Sequence, residues 1–216
     1  MSFAKQAGFG QSPALLVIDF QKGLTVPGML FYGYHEDQID HTNRISAVMR
    51  NKGFPVIFTT VAYDEAEIAN DCYQFLRKIP SLRQLRVGSV EAEIDDRLAP
   101  RPDEFVLVKK FQSAFIGTPL STILTGLKVD TLVVTGCATS GCLRGTVMDA
   151  CALGYYVVLP REGIGDFTAE VHEANLFDMN AKNGDVVTTD AVLEYVSHLP
   201  VSPHRLRLAG TTAAAS

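Results

Sequence analysis

Three side chains in this sequence are of the types that nucleophilic catalysis needs: the Cys142 thiol, the Asp19 carboxylate and the Lys109 ammonium. Cys142 lies in TLVVTGCATSGCLRGTVMDACAL (131–153), which reads as a buried strand, a glycine turn and a helix. Val133 and Val134 close a β-branched run, and Gly136 and Gly141 bracket a small-residue loop. From Leu143 onward, Val147, Ala150, Cys151 and Leu153 recur at helical spacing. The pattern puts Cys142 on the first turn of a helix, where unpaired N–H groups and the positive end of the dipole favour a thiolate. A thiol so placed has a lowered pKa and is nucleophilic.

Two other readings compete for this stretch. Gly136 and Gly141 have the spacing of a phosphate-binding loop, but Cys142 and Leu143 stand where that loop needs Lys and Ser/Thr. Cys142 could equally be a small buried hydrophobe, as most free cysteines are. The partners decide between these readings. Asp19 can take the thiol proton and Lys109 can stabilise the anion, while backbone N–H groups of the glycine turn face an oxyanion. The competing account of Asp19 and Lys109 is a structural ion pair.

For such a site to exist, the chain must bring these positions together. The runs ALLVI (14–18), PVIFTTV (55–61), EFVLV (104–108), 131–135 and YYVVL (155–159) read as strands, with a short sixth at 185–187. Helices are expected at about 37–52 with Gly53 as the stop, after Gly117–Thr118–Pro119, after Cys142, around 170–182 and at 191–198. The segment 91–100 reads as a short helix ending at Pro100. Residues 20–35 read as a loop, and 63–101 as a long excursion that is either a pocket rim or a solvated connection. Alternating strands and helices predict a single α/β domain over 1–216, three layers αβα around a mostly parallel six-stranded sheet, with a fraying tail from about position 200. Ligands of such sheets bind beyond the carboxyl ends of the strands, where Asp19, Lys109 and the Cys142 turn all fall.

Composition narrows the partners. Of the 216 residues, 47% are hydrophobic and 20% charged, with a formal net charge of −5, which argues against nucleic acid. No apolar run is long enough to span a bilayer, and MSFAKQAGFGQSP has no signal-peptide core, so neither membrane nor export is expected. Cys72, Cys137, Cys142 and Cys151 show no metal-ligand or disulfide spacing, which fits a reducing cytoplasm. No cofactor is expected, and the expected partner is a small molecule.

At VIDFQKG (17–23), VLVKKFQSAFIGTPL (106–120), TGCATSGCLRGTVMDA (135–150), PREGIGD (160–166) and HEANLFDMNAK (172–182) the chain resembles the isochorismatase-like cysteine hydrolases. The similarity covers nearly the whole chain and is greatest to the branch of N-carbamoylsarcosine amidase and maleamate amidohydrolase. It implies an Asp–Lys–Cys triad of Asp19, Lys109 and Cys142, with Lys110 as the runner-up lysine. It further implies a non-proline cis peptide between Cys137 and Ala138, an oxyanion site from the N–H groups of Ala138 and Cys142, and a homodimer or homotetramer. The implied activity is hydrolysis of an amide, carbamoyl or ureido C–N bond through a thioester or thiocarbamate on Cys142. A catalytically idle interaction subunit, or an enol-ether hydrolase, are the alternatives. Nicotinamidase-type relatives hold a metal after the second strand through a histidine cluster, but VAYDEAEIAND (61–71) has no histidine, so no metal is expected. His35, His41, His172, His198 and His204 are scattered along the chain.

One position departs from the pattern. Relatives that act on carboxylates typically carry an arginine after the GD of PREGIGD, and here Phe167 stands there. A phenyl ring cannot supply a bidentate guanidinium contact. Either the substrate is less charged, or Arg161, Arg144 or Lys182 provides the cation. Phe20, Phe31, Tyr32 and Phe115 are candidate apolar walls beside Phe167.

Overall fold

A strand without polar alternation must be covered on both faces, and three strands meet that condition. β1 (Pro13–Ile18), β2 (Val56–Val61) and β4 (Thr131–Cys137) are buried at every position. The computed structural model describes residues 5–29, 31–33 and 35–202. In it β3 (Phe105–Lys109), β5 (Tyr156–Pro160), β6 (Ile164–Gly165) and β7 (Asp185–Val187) complete a parallel sheet. The order is β3-β2-β1-β4-β5-β7, with β6 pairing beside β4. The two-residue β6 is the one strand that periodicity does not reveal, because two residues carry no period.

Alternate residues of β1 serve two cores. Leu16 and Ile18 pack with α5 (Leu120–Gly126), α6 (Arg144–Ala152) and α7 (Ala169–Lys182). Leu15 and Val17 pack on the other face with α2 (Glu36–Lys52) and α8 (Thr189–His198). This is the three-layer αβα arrangement. Gly53 ends α2 in the left-handed conformation at φ 74°, its N–H bonded back to Arg50.

From β1 the chain runs outward through β2 to β3, then crosses back to β4 and runs the other way. Strand order therefore reverses between β1 and β4, and a crevice opens beyond their carboxyl ends. Close contact of these two strands requires Gly136. Its φ is 118°, and a Cβ there would lie 2.0 Å from the Ile18 carbonyl oxygen.

Two local expectations are corrected. Residues 91–100 form two 3-10 turns, Val90–Ala92 and Asp96–Leu98, rather than one helix. Asp95 lies between them and accepts from the Arg97 N–H at 3.0 Å and the Thr25 hydroxyl at 2.5 Å, contacts that compete with helical bonding. Residues 20–35 contain a short helix, α1 (Lys22–Thr25). The excursion after β2 carries α3 (Glu65–Ala69) and α4 (Gln74–Lys78) and builds its own apolar cluster of Val61, Tyr63, Leu76, Leu82 and Leu85. Among the described residues no helix is long and apolar enough to cross a membrane. The tail beyond 202, including His204, lies outside the described residues.

Candidate active site

Asp19 follows β1 directly and adopts φ 51°, a region that costs a non-glycine residue about 1–3 kcal/mol. Thr59 of β2 holds it there. The Asp19 N–H bonds the Thr59 carbonyl and hydroxyl oxygens, both at 3.2 Å. The same hydroxyl donates to Asp19 Oδ1 at 2.6 Å. The other carboxylate oxygen, Oδ2, lies 2.8 Å from Lys109 Nζ.

Lys109 ends β3, two strands away from β1, so its side chain reaches across β2 toward Asp19. It is fully buried. Its ammonium also donates to the Phe111 carbonyl at 3.0 Å. Burial opposes the charge, but Asp19 and Cys142 outweigh it and hold the ammonium above its ordinary value. Lys110 points elsewhere and pairs with Glu67 at 2.5 Å. Successive strand residues face opposite ways, and this separates the two lysines.

The Cys142 turn is less regular than its sequence pattern predicts. The Cys137–Ala138 peptide is cis. A wide turn over Thr139–Leu143 follows, kinked at Gly141 with φ −112° and ψ −109°, and it runs directly into α6, with Leu143 already helical at φ −64° and ψ −53°. Gly141 is the only residue of the turn with non-helical dihedrals, so Cys142 and Leu143 open the helix that continues as α6, and Cys142 lies at its start as the sequence pattern predicts. Several bonds fix the turn. Asp166 Oδ2 accepts from the Ser140 N–H at 2.7 Å, and the Thr139 hydroxyl donates to the Gly165 carbonyl at 2.9 Å. His172 Nδ1 lies 2.8 Å from that hydroxyl. Thr146 donates to the Cys142 carbonyl at 2.8 Å and accepts from the Ala114 N–H at 3.0 Å, which ties the turn to the segment after β3.

The electrostatics correct a second expectation. Burial pushes the Cys142 thiol up to about 12; Lys109 opposes this, and Asp19 adds to it. The direction is opposite to the lowering that the helix-start position predicts. The helix dipole favours a thiolate, but desolvation is the larger influence here. Cys137 is held still more firmly as a thiol by burial, and it bonds the Asp19 carbonyl at 3.4 Å.

These groups meet at a cavity of about 350 Å³. Asp19, Ala138, Ser140 and Cys142 line its floor. Phe31, Phe75, Ile79, Leu82 and Phe167 form its walls, so the excursion after β2 is a pocket rim. Of the apolar walls expected from sequence, Phe31 and Phe167 line the cavity. Phe20, Tyr32 and Phe115 do not. Phe20 is fully buried in the core shared with α2, because the turn at Asp19 sends the next side chain beneath the sheet. Phe115 stacks on Tyr155, with ring centroids 6.1 Å apart, over the opposite core. Arg161 is also displaced: it pairs with Glu173 and lines a separate depression with Asp37 and His41.

Sequence reasoning missed Thr59, Gln21 and Asp166. Gln21 is fully buried; it accepts from the Val61 N–H at 2.7 Å and donates to the Glu91 carbonyl at 3.0 Å, joining β1, β2 and the rim. The available signal was polar residues at the ends of otherwise apolar strands, since a buried polar group needs partners. Among the described residues no group of three or more His, Cys, Asp or Glu side chains could hold a metal ion.

The isochorismatase domain family matches residues 13–191. N-carbamoylsarcosine amidase of an Arthrobacter species is 42% identical over 202 residues, covering 92% of this chain and 76% of that protein. Maleamate amidohydrolase of Pseudomonas putida is 37% identical over 198 residues, covering 91% and 92%. A cysteine hydrolase from Pseudomonas syringae superposes with a TM-score of 0.82 at 24% identity, covering 86% and 92%, a likeness of fold.

Proposed function

The chain belongs to the isochorismatase family, and from that premise we propose that Cys142 is the nucleophile of an amidohydrolase served by Asp19 and Lys109. The protein is a hydrolase of carbon–nitrogen bonds other than peptide bonds, the class of its curated relatives. The observation that carries the finer reading is that Asp19, paired with the buried Lys109 at 2.8 Å, lines the same cavity as Cys142.

The steps follow from the charges. The resting thiol passes its proton to Asp19 as sulfur attacks the carbonyl carbon of an amide. Lys109 lowers the cost of the negative charge on sulfur. The N–H groups of Ala138 and Cys142, both on the cavity floor, receive the oxyanion. As the intermediate collapses, the C–N bond breaks, Asp19 returns the proton to nitrogen, and ammonia leaves. An acyl thioester remains on Cys142. Asp19 then takes a proton from water, hydroxide adds to the acyl carbon, and the C–S bond breaks to give the acid and the thiol. The same reading includes a homodimer or homotetramer, which exposed apolar residues on the helices, Phe177 above all at 79%, support.

The test is ammonia release from primary amides and ureido compounds. Cys142→Ala and Cys142→Ser are expected to abolish it while circular dichroism and Tm stay unchanged. Turnover retained in both variants would overturn the assignment.

A further inference from the structure

Resting on the amidohydrolase reading, we infer that the substrate is an uncharged primary amide with an apolar body, such as a branched aliphatic or phenyl carboxamide. The cavity divides by polarity. Its floor holds the reacting groups, with Gln112 and Ser140 as the remaining polar lining. Everything that would enclose the rest of a substrate is hydrocarbon: Leu24, Phe31, Phe75, Ile79, Leu82 and Phe167. At about 350 Å³ it falls at the small end of ligand cavities, which run from about 300 to 1,000 Å³.

Among the described residues no Lys, Arg or His side chain lines this cavity. Arg144 is held by Asn175 and Asp178, each at 2.7 Å, and Lys182 pairs with the same Asp178. Arg161 is committed to Glu173 outside this cavity. Lys110 is taken by Glu67 and Lys22 by Glu93 and Asp96. Lys109 is already neutralised by Asp19. Among the described residues, then, a carboxylate held against these walls would meet phenyl rings and the Asp19 charge with no cation in the lining to offset its lost hydration. An apolar body gains from the same walls. Phe167 at the mouth is 53% exposed, so a substrate there covers hydrophobic surface that water now touches. Hydrolysis then creates the one species the cavity disfavours, a carboxylate beside Asp19, which speeds product release.

The experiment compares kcat/KM for ammonia release from phenylacetamide and isovaleramide with that from succinamate and N-carbamoylglycine, in the wild type and in Phe167→Arg. The wild type is expected to favour the two apolar amides by at least about tenfold, since misplacing a charge costs more than one mismatched methylene. Phe167→Arg, at an exposed position, is expected to shift the ratio toward succinamate by about tenfold or more. If the wild type turns over succinamate or N-carbamoylglycine faster than both apolar amides, and Cys142→Ala stops it, the substrate class falls while the amidohydrolase stands. If none of the four probes releases ammonia, both readings fall.

Discussion

Lys109 Nζ lies 2.8 Å from Asp19 Oδ2, and the two side chains are 0% and 1% exposed. A buried pair of this kind is poor value as a stabiliser, because removing two ions from water offsets most of their attraction. Its consequence is positional. Thr59 fixes one carboxylate oxygen and Lys109 the other, so Asp19 can meet the Cys142 sulfur in only one orientation.

The pair separates two adjacent lysines. Lys109→Met leaves Asp19 buried without its cation, which should cost about 3–5 kcal/mol of stability and lower ammonia release by about a hundredfold or more. Lys110→Met removes the pair with Glu67 and the ammonium lying 5.8 Å from the centre of the Tyr63 ring, together about 1–2 kcal/mol, and should leave kcat within a few-fold. Urea midpoints and initial rates measured on both variants decide the matter. Equal losses would mean that the buried lysine has no special part in the reaction.

The protonation state of Cys142 is open to chemical measurement. With the thiol pushed up to about 12 by burial, the ligand-free protein holds almost no thiolate at neutral pH. Carbamidomethylation of Cys142 by iodoacetamide, followed by peptide mass spectrometry, should run slower than that of a free cysteine at pH 7. The rate should still be rising with pH at pH 9. A rate above that of the free thiol at pH 6–7 would point to a preformed thiolate and replace proton transfer to Asp19 with simple attack.

His35 sets an acid limit on stability. It is 1% exposed and packed near Phe20, with ring centroids 5.7 Å apart. Burial lowers it to about 4, with Asp166 pulling the other way. The unfolded chain, with an ordinary histidine near 6.5, binds the proton first. Stability from the neutral ring is therefore full above about pH 6.5 and is lost as pH falls toward 4, by about 3 kcal/mol at most. Urea unfolding at pH 7, 5.5 and 4.5 should show this slope in the wild type and a flatter one in His35→Asn. Identical slopes would assign the acid sensitivity to other groups.

Several features of this protein could be read without coordinates, and the reason is periodicity. The apolar runs of β1, β2 and β4 have no polar face, which only a parallel sheet covered on both sides accommodates. Once that sheet is inferred, the positions of Asp19, Lys109 and Cys142 at strand ends put them on one edge. The tertiary structure alone decided the rest. Lys109 rather than Lys110 points inward because of the register of β3 against Val61. Phe20 enters the core because Asp19 turns the backbone at φ 51°, and no local pattern encodes that turn. The pocket walls come from Phe31, the aperiodic excursion after β2 and Phe167, residues far apart in the chain that only packing unites. The upward shift of the thiol comes from the protein packed around the sulfur, which is a property of the fold and not of the residues on either side of it.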